Sequence, residues 1–222
     1  MRFFQSVFIC SFLFVVSIAQ GASLKYNAGS MSEDKLLAQS TLLRPAVLEN
    51  ALHAYASAIK KHVPVTHHHL TIIDYSLPST VKRLWVIDMD HLRIDQQLLV
   101  THAVNSGDVY AVRFSNQDDS HESSLGLFLT GGAYSGNDGY SLVLNGLEPG
   151  FNDHAKRRYV VVHSGWYANQ STIMKYGRLG RSWGCPVVDP KKVHALIDEI
   201  KDGSLLFVYY PDKKWLNRSR YL

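Results

Sequence analysis

Apolar and polar positions follow two different periods along this chain. Between Pro45 and Pro64, the residues Val47, Leu48, Ala51, Leu52, Tyr55 and Ile59 recur every three or four positions, while Glu49, Asn50, His53, Lys60 and Lys61 take the other face. That pattern predicts an amphipathic helix opened by Pro45. From Leu70 the period shortens to brief apolar runs bounded by turn residues, over 70–74, 84–88, 98–104, 109–114, 126–129, 141–144, 159–162 and 205–210. Runs of this length read as strands. A second clear helix is expected over 190–201, because Val193, Leu196, Ile197 and Ile200 share one face and Gly203 lies beyond its end. Residues 23–44 are polar and irregular, with room for one short helix at 32–40. The expected fold is mainly β with a few helices, an α+β domain over 65–222. Before it lies a spacer and helix at 22–64 that either braces the domain or docks a partner. No internal repeat and no low-complexity linker separates a second domain.

At the start, Met1 and Arg2 precede an apolar run over 3–19 that closes on the small residues Ala19, Gly21 and Ala22. This predicts a cleaved secretory signal over 1–21; a retained anchor is the other reading, and the run is at the short limit for spanning a bilayer. Cys10 lies inside the run, without the small residue before it that a lipoprotein anchor needs, and would leave with the signal. Cys185 is then the only thiol, so no disulfide forms within the mature chain. About 200 of the 222 residues remain, with 46% hydrophobic content overall, enough for one domain with a full core. The formal charge of +4 falls by one when Arg2 is lost. Such an excess suits an anionic polymer, but no Lys or Arg run is dense enough for a nucleic-acid or membrane patch.

A lone thiol in an exported protein pairs or reacts unless it has a use. A thiolate nucleophile needs a base or positive charge beside it and donors for the oxyanion it creates. The stretch Gly177-Arg178-Leu179-Gly180-Arg181-Ser182-Trp183-Gly184-Cys185-Pro186 supplies these types. Arg178 and Arg181 carry charge, and the amides around Gly184 and Cys185 are candidate oxyanion donors, Pro186 removing only its own. Upstream, Tyr159-Val160-Val161-Val162-His163-Ser164 reads as a buried strand that delivers an imidazole at its mouth. Cys185 and His163 are the expected pair, with the backbone carbonyl near Ser164 orienting the ring. A buried, inert Cys185 in a non-catalytic wall-binding protein is the contrasting reading.

Other constellations are weaker. His102 shares an apolar face with Leu98, Val100 and Val104, which suits a hydrogen-bonded core histidine or a residue supporting the pocket. His67-His68-His69 suggests a metal, but no acidic or cysteine ligand follows at metal-like spacing, so surface histidines and no metal are expected. Tyr134, Tyr140, Asn116 and Ser124 are candidates for a peptide groove. Gly180-Arg181-Ser182-Trp183-Gly184 satisfies the Gly-x-Ser-x-Gly elbow of serine hydrolases, yet a mostly polar segment precedes it where a buried strand is required.

Several stretches together carry a resemblance: Asp74-Tyr75-Ser76, Asn105-Ser106-Gly107, Phe114-Ser115-Asn116, Ser123-Ser124-Leu125-Gly126, Gly146-Leu147-Glu148, Gly150-Phe151-Asn152 and Gly-Arg-Ser-Trp-Gly-Cys-Pro at 180–186. From about Leu70 to Tyr210 the chain resembles the murein L,D-transpeptidase catalytic domain family (YkuD-type), in the branch with that cysteine motif. The resemblance implies a β-sandwich catalytic domain with Cys185 as acyl-accepting nucleophile, His163 as base, and Ser182 and Gly184 shaping the turn. It also implies peptidoglycan stem peptides as partners, carbapenems as covalent inhibitors, and a periplasmic or cell-wall location in a bacterium. No cofactor is required. The broader family often has His before Gly-Cys and Arg two places after, where this chain has Trp183 and Val187; Arg178 or Arg181 then stands for the substrate-carboxylate arginine, with Ser164 and His102 also lining the site. Water in place of an acceptor amine would make the same mechanism a carboxypeptidase.

Overall fold

A computed structural model describes residues 31–222; the segment read as a secretory signal lies outside the described residues. The strands are β1 (His69–Asp74), β2 (Leu84–Asp88), β3 (Arg93–Leu98), β4 (Gly126–Gly136), β5 (Gly139–Gly146), β6 (Val161–Ser164), β7 (Val187–Val188) and β8 (Leu205–Tyr209). Helices α1 (Pro45–Lys60), α2 (Gln170–Tyr176), α3 (Val193–Ile200) and α4 (Lys213–Leu216) follow a further helical stretch at residues 31–37. The mainly β architecture with a few helices matches the expectation.

The strands form one sheet in the order β3-β2-β1-β8-β4-β5-β6-β7. Two neighbours are parallel, β1 with β8 and β6 with β7; the rest are antiparallel. The central strands are buried on both faces, as every residue of β8 and five of six in β1 are buried. This explains their continuous apolar runs. The β4–β5 hairpin shifts register between Thr130 and Ala133, a bulge carried by Gly131-Gly132.

Helix α1 packs on β1 and β8, and its Val47, Leu48, Ala51, Ala54 and Ala58 join the same core as the sheet. The buried stripe is rotated from the expected one: Ile59 is exposed, and Ala54 and Ala58 point inward. Small side chains let a helix approach closely, and the sheet surface rather than the sequence period decided which side was chosen. Helix α3 buries the four residues expected, Val193, Leu196, Ile197 and Ile200.

Two apolar runs differ from the expectation: residues 109–114 form no strand, only isolated bridges at Ala111 and Phe114, and the run at 98–104 is displaced. Residues 98–104 are not a strand after Leu98; the strand is the polar stretch Arg93–Leu98, which takes the sheet edge on β2. Edge strands tolerate polar sequence because one side faces water. Residues 100–103 are buried as irregular backbone, and several of their backbone groups meet partners far along the chain, while His102 Nε2 has no hydrogen bond within the described residues. Arg83, fully buried, donates from Nε and Nη2 to the Val100 carbonyl at 3.1 and 3.0 Å, from Nη1 to the Leu77 carbonyl at 2.7 Å, and from Nη2 to His102 Nδ1 at 2.8 Å. Its guanidinium also lies 4.9 Å from the Tyr75 ring centre. Burial lowers the Arg83 pKa to about 10 and raises that of Tyr75 to about 12.

Arg83→Ala strands two buried carbonyls and an imidazole nitrogen. The expected loss is about 3 kcal/mol, or roughly 6–12 °C in the thermal midpoint of a domain this size. Calorimetry checks it; a shift under about 2 °C would contradict this role for the buried guanidinium.

Candidate active site

The loop carrying Cys185 is fixed at three points. Gly177 ends α2 in a left-handed conformation, φ 71°, which glycine adopts freely. Gly180 then donates to the Tyr167 carbonyl at 2.9 Å, so close to the ring that an added Cβ would stand 2.4 Å from it. Ser182 pairs with the buried 100–104 strip: its amide donates to the His102 carbonyl at 3.1 Å, and Val104 donates to the Ser182 carbonyl at 2.8 Å. Beyond the cysteine, Thr101 and Val187 bond in both directions, backbone amide to carbonyl at 3.0 Å and amide to hydroxyl at 3.3 Å.

Ser182 Oγ donates to the Cys185 carbonyl at 2.6 Å and accepts from the Gly184 amide at 3.3 Å, knotting the turn. No histidine contacts it, which disfavours the serine elbow. Gly184 has φ 142°, a conformation unfavourable for side chains, and its amide is already engaged by Ser182. Of the two amides expected as oxyanion donors, that of Cys185 is the one without an acceptor among the described residues. The expectation for Gly184 is corrected to this extent: it shapes the turn and does not present a free donor.

The parallel pairing of β6 with β7 sets His163 beside Val187 and Ser164 beside Val188. Cys185, two residues before Val187, therefore sits beside Val161, two before His163. The Val161 amide donates to Cys185 Sγ at 3.5 Å, and the thiol donates to the Tyr159 carbonyl at 3.6 Å. His163 is mostly buried, and its Nδ1 meets the Ser164 carbonyl at 3.0 Å. A carbonyl accepts only, so Nδ1 carries the proton and Nε2 is left with its lone pair. Among the described residues no hydrogen bond joins thiol to imidazole; what they have in common is β6, whose Val161 meets the sulfur and whose His163 carries the ring. Burial raises the Cys185 pKa most; the Val161 amide opposes it, Asp138 raises it further, and Arg158 lowers it.

Neither expected arginine is the cation next to the sulfur. Arg178 Nε and Arg181 Nη1 both reach one carboxylate oxygen of Asp108, at 2.7 and 3.3 Å, and Arg181 also donates to the Gly107 carbonyl at 3.0 Å. They tie the 105–113 loop to the loop that carries Cys185. Arg158 holds the nearby position: its Nη1 donates to the Ser115 carbonyl and Ser124 Oγ, its Nη2 to Ser120 Oγ and the Glu122 carbonyl, at 2.7–3.0 Å. Its sequence context, Lys156-Arg157-Arg158, gave no signal separating it from a solvated basic turn.

His102 lies fully buried beneath the loop, away from any solvent-exposed substrate surface. Among the groove candidates, Asn116 lines a cleft of about 410 Å³ with Phe114, Phe151, His154, Asp212 and Trp215, while Tyr140 stacks on His194 and donates to Asp198 at the surface. Cys185 does not line that cleft.

With this geometry in place, the chain matches the family model described as the L,D-transpeptidase catalytic domain, over residues 39–209. The chain belongs to that family. No curated protein matches it. Among solved structures it is similar to an L,D-transpeptidase from Mycobacterium smegmatis (11% identity, TM-score 0.41, covering 64% of this chain and 59% of that one). It is also similar to an L,D-transpeptidase (Yku) from Stackebrandtia nassauensis (11%, TM-score 0.40, 81% and 76%). A third is the LD transpeptidase LdtMt1 in complex with imipenem (14%, TM-score 0.37, 64% and 59%). The chain thus spans about three fifths of the length of the first and third. These distant likenesses carry no argument about activity; the family rests on the sequence model.

This L,D-transpeptidase domain has one further cluster. His67 and His68 are exposed as expected, but the partly buried His69 has its Nε2 4.0 Å from Asp95 and 3.8 Å from Glu199. The carboxylates come from β3 and α3, distant in sequence, which is why spacing missed them. Arg93 already engages Asp95 and Gln96 engages Glu199, so both carboxylates have partners other than His69.

Burial, then the Arg83 charge, lowers the His102 pKa to about 3. In the unfolded chain the imidazole protonates near pH 6.5, so from about pH 6 down to about 4 the unfolded state holds the extra proton and stability falls, by roughly 1.4 kcal/mol per pH unit from this residue. Urea titrations across this range should show a shallower pH dependence in His102→Gln; an unchanged slope would mean His102 protonates in the folded protein.

Proposed function

We propose that this domain is the catalytic unit of an exported peptidoglycan L,D-transpeptidase with Cys185 as nucleophile. The observation that carries this reading is the sulfur's position at the mouth of β6, beside a strand that also delivers an imidazole whose Nδ1 proton is fixed by the Ser164 carbonyl. A raised thiol pKa means little free thiolate at neutral pH, so the proton must leave as the bond forms. His163 Nε2 takes it. Sγ bonds to the carbonyl carbon of the donor stem peptide, and the oxyanion gathers the Cys185 amide, with the Arg158 guanidinium behind the turn. The C–N bond to the terminal D-residue breaks, and the imidazolium protonates the departing amine. An amine of a neighbouring stem then loses a proton to His163 and attacks the thioester, releasing Sγ and leaving an amide cross-link. A substrate carboxylate that reached Arg178 and Arg181 would displace Asp108 from them.

Incubation with disaccharide-tetrapeptide muropeptides, followed by mass spectrometry, tests this. Dimers are expected from the wild type, none from Cys185→Ala, and slowed formation from Ser182→Ala, which loosens the turn. His163→Ala should reduce turnover by about 10²–10⁴-fold. Trimmed monomers without dimers would make water the acceptor; activity that survives Cys185→Ala would end the cysteine reading.

Imipenem offers an independent check. Its carbonyl should acylate Cys185 and appear as one adduct by intact mass, absent from Cys185→Ala; an unmodified wild type would count against an accessible nucleophile.

A further inference from the structure

Trp183 stands two residues before Cys185 yet is 75% exposed, and a core or turn-packing role does not account for it. Its indole is not loose. One face is covered by the His121 imidazole, ring centres 4.9 Å apart and planes 14° from parallel, while the side chain stays open to solvent. His121 reaches this place at a backbone cost, with φ 50° in the left-handed region, and Asp119 before it has φ 54°. A non-glycine residue in this conformation is strained and persists where the surroundings impose it. Here the His121 carbonyl accepts from the Asn105 amide at 3.0 Å, and the Ser120 carbonyl accepts from Asn105 Nδ2 at 2.9 Å. The next residue, Glu122, bonds Arg158 and lies 3.5 Å from where a Cβ on Gly184 would stand. The 119–122 loop thus abuts the nucleophile turn and holds an indole flat beside it.

We propose that the Trp183–His121 stack is a platform for a pyranose ring of the glycan strand adjoining the stem peptide. This rests on the proposed function and names a part of its substrate. One face of a pyranose is lined by C–H bonds, which pack on the negative face of an indole, while hydroxyls project from its edge. The platform has that shape: one open aromatic face on loops bearing Asn105, Arg113, Ser120 and Glu122, all able to bond hydroxyls. A nucleobase would call for a backbone-tracking basic groove, which the sequence does not supply.

The test titrates the full mature protein with a soluble tetramer of N-acetylglucosamine, following tryptophan fluorescence, and repeats it with Trp183→Ala, Trp183→Phe and His121→Ala. The wild type should show saturable binding. Trp183→Ala should weaken it at least ten-fold, Trp183→Phe by less, and His121→Ala a few-fold, with thermal midpoints checked to exclude unfolding. No saturable binding, or equal affinity in Trp183→Ala, would overturn the platform. A kinetic arm compares disaccharide-tetrapeptide with free tetrapeptide donors. The wild type should prefer the sugar-bearing donor in kcat/KM, and Trp183→Ala should reduce that preference about ten-fold. An equal loss on both donors would overturn the proposal in favour of a turn-shaping role. A wild type inactive on both donors would refute the transpeptidase reading and leave the binding titration to decide the platform.

Discussion

The strip from Val100 to Val104 is hydrogen-bonded to buried Arg83 on one side and to the loop carrying Cys185 on the other. Everything proposed for the site depends on that double engagement. Irregular backbone inside a protein is costly unless each polar group finds a partner. Here one guanidinium, with donors arranged in a fixed fork, meets the Val100 carbonyl and His102 Nδ1 together. The free edge of the strip then receives Ser182 and Val187, so the turn containing Gly184 and Cys185 is suspended between two fixed points. Lysine at position 83 would be no substitute, because a single ammonium cannot reach three divergent acceptors with the same rigidity.

The same construction explains the state of the thiol. Held between the Val161 amide and the Tyr159 carbonyl, and largely removed from water, Cys185 favours its protonated form. A resting thiol is less prone to stray oxidation than a permanent thiolate. In the proposed mechanism, activation is left to an imidazole whose own proton is held on Nδ1, and to charge that develops only when a carbonyl is attacked. Arg158 contributes to that electrostatic setting while its donors are committed to backbone and hydroxyl acceptors, so it is rigid rather than mobile. The tie of Asp108 to Arg178 and Arg181 closes the other flank of the loop.

Much of this was legible in the chain itself. The helix at Val193–Ile200 and the strands of the sheet centre follow from period and residue type, and Cys185 does lie against the strand that carries His163. The failures share a cause. The strand Arg93–Leu98 is polar because it lies at an edge, and the apolar run after it is buried without being a strand; periodicity cannot separate these cases. Helix α2 is short and mostly polar, betrayed only by its cap Asn169 and by Gly177. The Asp95 and Glu199 neighbours of His69, the Asp108 partner of two arginines and the role of Arg158 are products of tertiary placement, and no local pattern encodes them.

The most direct measurement is to trap the acyl-enzyme. The protein is mixed with a tetrapeptide donor without acceptor, quenched in acid within seconds, weighed intact and mapped by peptide mass. The account gives an adduct equal to the donor minus its terminal D-residue, on the peptide containing Cys185 and absent from Cys185→Ala. An adduct on Ser182, or donor turnover by Cys185→Ala, would contradict it.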